Sequence, residues 1–102
     1  MHTFVVYAPD YTHDGTLERR LLVRGQHLER IKSLKESGVI TSGVLLFDPE
    51  TFELPDEGQK MVGSLMIFSA ETIGEVRQII ESDVYWTANV WDKDNLKIYP
   101  GK

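Results

Sequence analysis

Four segments along the chain predict β-strands: apolar runs at residues 3–8, 39–47 and 61–68, and a last run that lies within residues 88–99. Pro9 follows the first run, and because proline cannot donate to a strand ladder we expect that strand to end there. Gly43 inside the second run indicates a bulge or a close approach of another backbone. In the last run Leu96 and Ile98 alternate with their neighbours, as in a half-buried strand, and we expect the strand to end before Pro100.

One long segment between the first two strands has helical periodicity. Residues 17–37 place apolar side chains on one face, at Leu28, Ile31 and Leu34. Gly25 weakens this run and predicts a short first helix that is separated from a second one. Gly38 is suited to the left-handed position that follows a helix C-terminus.

A second helix is predicted after the third strand. It has a clear start, because Thr72 and Glu75 form a capping-box pattern. Residues 83–87 are typical of a turn or a short helix. The buried stripe of the second helix is predicted at Ile73, Val76, Ile79 and Ile80.

Residues 48–60 hold two prolines, a glycine and five carboxylates, and this composition predicts a solvated loop.

The predicted order is strand, helix, strand, strand, helix, strand, within a single domain over residues 1–102. Right-handed crossovers then give an α+β, ferredoxin-like fold, in which a four-stranded antiparallel sheet carries both helices on one face. The first strand and residues 44–47 are apolar on both sides, so the other sheet face lacks cover. A second copy of the sheet would bury that face, and we therefore expect a homodimer.

Charge and composition narrow the range of partners. The chain has 102 residues, of which 41% are hydrophobic and 26% charged, and its formal net charge is −5. Its basic residues are scattered, so we expect neither nucleic acid nor a membrane surface as a partner. No stretch approaches the roughly 20 apolar residues that span a bilayer. The absence of cysteine excludes disulfides and thiolate chemistry, and with no signal-peptide pattern it indicates a cytoplasmic protein.

Several motifs in a fixed order match one known family. They are Tyr7–Asp10, Leu17–Leu21, Val23–Leu28 with its Arg-x-x-His-Leu pattern, Gly43, Gly63-Ser64 and Asp83–Tyr85. On these residues the chain resembles the YCII-related (YciI-like) family over nearly its whole length. It departs from the family pattern at Val44 and Val84, where the family usually has proline, and these changes concern loops more than the fold. The resemblance implies a dimeric α+β barrel and a His–Asp catalytic site, and it brings no settled reaction.

His27 is the first candidate for catalysis. A half-buried imidazole at the edge of a helix stripe can take up and release protons near neutral pH, but it needs a partner that fixes its tautomer. Asp10, at the end of the first strand, is the expected partner, and Asp83 is the second carboxylate candidate. The alternatives are a structural histidine bonded to a backbone carbonyl, a turn role for Asp10 and a helix-capping role for Asp83.

Four side chains are candidates for substrate binding, namely Arg24, Ser64, Asp83 and Tyr7. Arg24 lies three residues before His27 on the same helix face and would grip a carboxylate or phenolate, although an ion pair with a nearby carboxylate is an equal alternative. Ser64 would add a hydroxyl group or serve as an ordinary strand residue. Aromatic side chains would line a pocket or belong to the core, at Tyr7, Tyr85, Trp86 and Trp91.

The sequence predicts no metal and no cofactor. The carboxylates of residues 48–57 lack the spacing of a calcium loop, and the three histidines match no zinc motif. The residues therefore predict a cofactor-independent isomerase or lyase, in which His27 and Asp10 transfer protons on a small, cyclic or aromatic, anionic metabolite. The alternative is a non-catalytic module for ligand binding or dimerisation. If Phe4, Tyr7 and Trp86 fill the space beside His27, only a structural role fits.

Overall fold

The computed structural model describes all 102 residues. The strands are β1 (His2–Pro9), β2 (Ile40–Phe47), β3 (Met61–Ala70) and β4 (Lys97–Gly101). The helices are α1 (Thr16–Glu36), α2 (Ile73–Glu81) and the short α3 (Val84–Thr87), and a single 3-10 turn covers Asp56–Gly58. The strands form one antiparallel sheet in the order β2-β3-β1-β4, which confirms the predicted α+β fold. No helix is long and apolar enough to cross a membrane.

The core lies between the helices and one face of the sheet. Alternate residues of β1 and β3 point into it, because successive side chains of a strand face opposite sides. Val76 and Ile80 of α2 cover them and are 0% and 2% exposed. The sheet contributes Phe4, Val6, Ala8, Ile40, Met66, Phe68 and Ala70 to this cluster.

Helix α1 is continuous, so the predicted break at Gly25 is wrong. Gly25 is exposed and costs only about 1 kcal/mol in a helix interior, which the packing of a 21-residue helix outweighs. The predicted stripe is also wrong at Leu28, which is 49% exposed. The buried residues of α1 are instead Thr16, Arg20 and His27. Gly38 has φ +82° after the helix C-terminus, as predicted.

The irregularities of the sheet lie elsewhere than at Gly43. Gly43 pairs in register with Met66, so the predicted bulge there is wrong. The register between β2 and β3 instead shifts at Thr41 and again between Leu46 and Phe47. The close backbone approach is at Gly63, where a Cβ atom would lie 2.7 Å from the carbonyl oxygen of Ala8.

The start of α2 is capped as predicted. The Thr72 hydroxyl accepts a hydrogen bond from the Glu75 backbone N–H at 3.2 Å, and the Glu75 carboxylate accepts one from the Glu71 N–H at 3.0 Å. Ile73 does not belong to the buried stripe, since it is 46% exposed. The predicted short helix is α3, whose N-cap is Asp83.

The last strand begins at Lys97 and ends later than predicted, at Gly101. Residues 88–96 form an irregular segment in which Val90 and Trp91 are fully buried. The backbone of Trp91 pairs with Asp10, which extends β1 past its end. Pro100 lies within β4 rather than after it, and it is tolerated because β4 is an edge strand.

The second sheet face is apolar and uncovered in the chain. Val44, Tyr7 and Tyr99 on this face are 55%, 44% and 59% exposed. We call this surface the open face; cross-strand pairing assigns to it Val5, Tyr7, Val44, Leu65, Ile67 and Tyr99. Such a surface favours an association, and the homodimer stays a prediction.

Candidate active site

A cavity of about 140 Å³ opens between α1 and the β2–β3 side of the sheet. Its size is close to that of the roughly 150 Å³ apolar cavities that take up benzene, so it fits one small ring. Apolar side chains such as Ile31 and Met66 form much of its wall, and Arg20, Arg24, His27 and Lys35 bring charge or a titratable group to it. Phe4, Tyr7 and Trp86 do not line it, so the space beside His27 is not filled by them.

The face of α1 that borders the cavity carries its polar groups at helical spacing. Arg20, Arg24 and His27 follow one another at intervals of four and three residues, so they lie on one side of the helix. His27 is 6% exposed and Arg20 is 1% exposed. Each buried polar group therefore requires a partner, and these partners come from the sheet and from the segment after α2.

Asp83 is the partner of His27. Nδ1 of His27 lies 2.9 Å from Oδ1 and 3.0 Å from Oδ2 of Asp83, in a buried contact. The same carboxylate accepts the backbone N–H of Tyr85 at 2.8 Å, and Arg30 lies 3.6 Å away. A carboxylate with these partners accepts a hydrogen bond from Nδ1–H, so the other ring nitrogen, Nε2, is the basic one. Asp83 itself does not line the cavity.

Asp10 is buried but does not bond to His27. Its Oδ2 lies 3.1 Å from Nε of Arg20, and its Oδ1 has no hydrogen-bond partner. Burial raises the pKa of Asp10 from 3.8 to about 6, while the charges of Arg20 and His27 act in the opposite direction. Of the two carboxylates proposed as partners of His27, the structure therefore has Asp83 in contact, and the expected Asp10 contact is wrong.

Arg20 connects the strand ends to the helix. It pairs with Asp10 and donates from Nη2 to the carbonyl of Gly63 and to the Ser64 hydroxyl, both at 3.2 Å. Its Cζ atom lies 4.6 Å from the centre of the Tyr85 ring. The sequence analysis missed this residue because arginine on a helix is usually exposed. The signal present was its spacing, four residues before Arg24 and seven before His27.

The sequence analysis named Tyr85 only as a residue of a pocket lining or of the core, and it missed the contact of Tyr85 with His27. Its ring stacks on the imidazole of His27, with centroids 3.8 Å apart and planes at 13°. Trp91 meets both rings edge-on, at 5.7 Å from His27 and 5.6 Å from Tyr85. Asp83, the N-cap of α3, helps to position the Tyr85 ring, because its carboxylate accepts a hydrogen bond from the Tyr85 backbone N–H.

The other predicted residues are divided between the cavity and the rest of the surface. Arg24 is half-buried, lines the cavity, and forms no ion pair or side-chain hydrogen bond in the chain. Ser64 lines it too and is held by Arg20. Tyr7 lies on the open face and is not brought to the cavity, because alternation turns it away from α1. No group of three His, Cys, Asp or Glu side chains is arranged to hold a metal ion.

Comparison with known proteins identifies relatives of this chain. The dehydrochlorinase TftG of Burkholderia phenoliruptrix, solved with 2,5-dihydroxybenzoquinone, has a similar fold, with a TM-score of 0.80 and 25% identity over 98% of this chain and 93% of the other. Fusaric acid biosynthesis protein 2 of Gibberella fujikuroi is 29% identical over 97% of this chain and 91% of its own length.

Two further relatives are longer than this chain. The aspartate kinase FUB3 of Fusarium oxysporum is 42% identical over 97% of this chain, which spans only 18% of that protein. Aspercryptin biosynthesis cluster protein B of Emericella nidulans is 26% identical over 95% of this chain, which spans 60% of that protein. The sequence profile of the YCII-related domain matches residues 3–97, so this chain belongs to the family of YCII-related domain proteins.

Proposed function

We propose that this chain is an enzyme that transfers a proton on a small cyclic anion, in an isomerisation or an elimination that needs no cofactor. The observation that carries the proposal is the state of His27. Its Nδ1 is held by Asp83, and its Nε2 has no partner in the chain, at a cavity of the size of one ring. A structural histidine would have both ring nitrogens satisfied within the fold.

In this proposal His27 is the general base or acid and Asp83 is a positioning residue. The carboxylate holds the tautomer in which Nε2 accepts a proton, and it stabilises the imidazolium that then forms. In this proposal Asp10 is not the partner of His27 that the sequence analysis expected. It holds Arg20, which in turn fixes Ser64 and the Tyr85 ring next to His27.

The charge of the cavity supports an anionic substrate. Arg24 has no carboxylate partner in the chain, and a half-buried guanidinium in an apolar wall gains most from an oxyanion. Lys35 lies at the far end of the same helix face and also has no ion pair. With one ring in a cavity of about 140 Å³, a carboxylate or phenolate on the ring would reach Arg24.

The relatives support the same class of chemistry. A protein of similar fold is a dehydrochlorinase that was solved with a cyclic quinone, and two relatives are named for fusaric acid biosynthesis and for the aspercryptin biosynthesis cluster. Elimination of HCl from a ring removes a proton and a chloride, and a histidine base is suited to the first of these. We therefore extend a reaction on a cyclic metabolite to this chain as a proposal.

The test is a turnover assay on a panel of hydroxylated and carboxylated rings that includes 5-chloro-2-hydroxyhydroquinone. Proton NMR in D₂O detects C–H exchange, and a chloride electrode detects elimination. We expect His27→Gln to lower kcat by roughly 10² to 10⁴-fold, and Asp83→Asn to lower it also, because the tautomer is no longer held. Arg24→Gln should act mainly on KM.

The control for this assay is His13→Gln, since His13 is exposed and lies outside the cavity. Full activity in His27→Gln would show that the imidazole is not the base and would overturn the proposal. If the panel binds to the chain but nothing turns over, the non-catalytic binding module is the better description.

We also propose that the chain forms a homodimer through the open face. The apolar residues of that face are too exposed for a stable monomer surface, as Val44 and Tyr99 illustrate at 55% and 59%. Light scattering on the parent chain should give the mass of a dimer, and Val44→Glu should give that of a monomer. A monomeric parent chain would refute this part of the proposal.

A further inference from the structure

Tyr85 brings a polar group to the cavity that the proton transfer described above does not use. The residue lines the cavity and is 1% exposed. Its hydroxyl has no hydrogen-bond partner in the chain, and it is not among the unpartnered polar atoms that are sealed from solvent. The small accessible area of Tyr85 therefore includes its oxygen, and Tyr85 is one of the residues that line the cavity.

The ring of Tyr85 is fixed in orientation by its neighbours. The imidazole of His27 stacks on it with centroids 3.8 Å apart, and the Cζ atom of Arg20 lies over the ring at 4.6 Å from its centre. Trp91 packs edge-on at 5.6 Å. A phenol that is held by these three contacts keeps its oxygen in one place, as a preorganised hydrogen-bond donor requires.

Charge around the hydroxyl favours donation to an anion. Burial raises the pKa of Tyr85, and the charges of Arg20 and Arg24 oppose this rise only in part. The phenol therefore keeps its proton at neutral pH and is available as a donor. The two guanidinium groups also favour negative charge on whatever oxygen accepts that hydrogen bond.

We propose that Tyr85 is a further catalytic residue, whose hydroxyl donates a hydrogen bond to a ring oxygen of the substrate. This inference rests on the proposed function. Nε2 of His27 takes a proton from the ring carbon next to a carbonyl group, the electron pair of the broken C–H bond forms a C=C bond, and the carbonyl π pair moves onto the oxygen, where Tyr85 stabilises the oxyanion. The phenolic hydrogen stays on Tyr85 throughout, so the substrate class is a cyclic ketone whose carbonyl carbon is bonded to the carbon that loses its proton.

The stacking of the two rings supports this division of roles. The imidazole and phenol planes are nearly parallel with centroids 3.8 Å apart, and both residues line the cavity, so one substrate ring would lie against both. A base and an oxyanion donor at adjacent atoms are what enolisation requires.

The test is calorimetric binding of 2,5-dihydroxybenzoquinone, a ring oxyanion, to the full chain. Tyr85→Phe keeps the stack and removes one oxygen, and we expect at least tenfold weaker binding, as for the loss of a hydrogen bond to a charged acceptor. Its melting temperature should not change, since that oxygen has no partner in the chain. In turnover, Tyr85→Phe should lower kcat more than it raises KM.

Two other variants complete the test. Tyr11→Phe removes a hydroxyl that only accepts the Lys93 N–H, at a tyrosine outside both the cavity and the open face, and it should bind the quinone as the parent chain does. Gly43→Val adds a side chain to the cavity wall, where a Cβ atom meets nothing closer than the Leu65 carbonyl at 3.5 Å, and should block binding.

Unchanged affinity in Tyr85→Phe would overturn the inference, as would unchanged affinity in Gly43→Val or no binding to the parent chain. Lower stability of Tyr85→Phe with unchanged affinity would assign the hydroxyl a structural role. These outcomes are separate from the failure of the proposed function, which appears as full turnover in His27→Gln and leaves the binding data unaffected.

Discussion

The buried carboxyl group of Asp10 makes the stability of the fold depend on pH. Burial raises its pKa from 3.8 to about 6, so between these values the folded chain holds a proton that the unfolded chain has lost. Stability must then fall as the pH rises from about 4 through about 6, and it should level off above. Each pKa unit corresponds to about 1.4 kcal/mol, so ionisation of Asp10 costs the fold about 3 kcal/mol.

The difference between the parent chain and Asp10→Asn isolates this effect. Urea unfolding of both chains at several pH values from 4 to 7.5 gives the two free energies of unfolding. Asp10→Asn leaves Arg20 buried without its partner, which is a constant cost because guanidinium is always charged. The stability advantage of the parent chain over the variant should shrink by about 2 kcal/mol between pH 4 and pH 7, because part of the full effect lies below pH 4.

The exposed Asp14 supplies the matched control, since Asp14→Asn lies on the adjacent loop and should show no comparable change. Carbon NMR of the Asp10 carboxyl group provides an independent midpoint, expected near pH 6. A stability difference between the parent chain and Asp10→Asn that stays constant with pH would refute the reasoning, because desolvation would then not dominate over the pairing with Arg20.

Three further predictions concern the framework of the site. Gly63→Ala should destabilise the chain by about 1–3 kcal/mol in urea unfolding, because the new Cβ atom would lie 2.7 Å from the Ala8 carbonyl oxygen. Gly25→Ala should instead stabilise it by about 0.5–1 kcal/mol, since nothing lies within 4 Å of the added methyl group; a loss of stability would mean that α1 is not regular there. Thr72→Ala should cost about 1 kcal/mol by removing the acceptor for the Glu75 N–H, and an unchanged melting temperature would contradict the cap.

Features of the fold that depend on neighbours in the sequence were predictable. The capping box at Thr72 and the left-handed Gly38 follow from local chemistry, and both were found. The element order followed from apolar runs, and it determined the antiparallel sheet. The last strand was predicted to end before Pro100, which an edge strand tolerates, and Trp91 outside it is buried because it pairs with Asp10 and contacts the His27 ring.

The polar face of α1 could not be derived from periodicity. Apolar patterning assumes that buried positions are apolar, whereas α1 buries Arg20 and His27 and exposes Leu28. Whether a polar side chain is buried depends on partners that are distant in sequence, and Asp83 lies 56 residues from His27. The choice between Asp10 and Asp83 thus needed the three-dimensional structure, although both aspartates could be named beforehand.

The continuity of α1 determines which changes of length the family can accept. Arg20, Arg24 and His27 keep a common direction only because no residue is added or lost among them, and a single insertion would rotate one part against the other by about 100°. The segment between β2 and β3 has no such constraint, because it lies outside the cavity. Insertions and deletions during evolution should therefore accumulate in residues 48–60 and avoid the interval from Arg20 to His27.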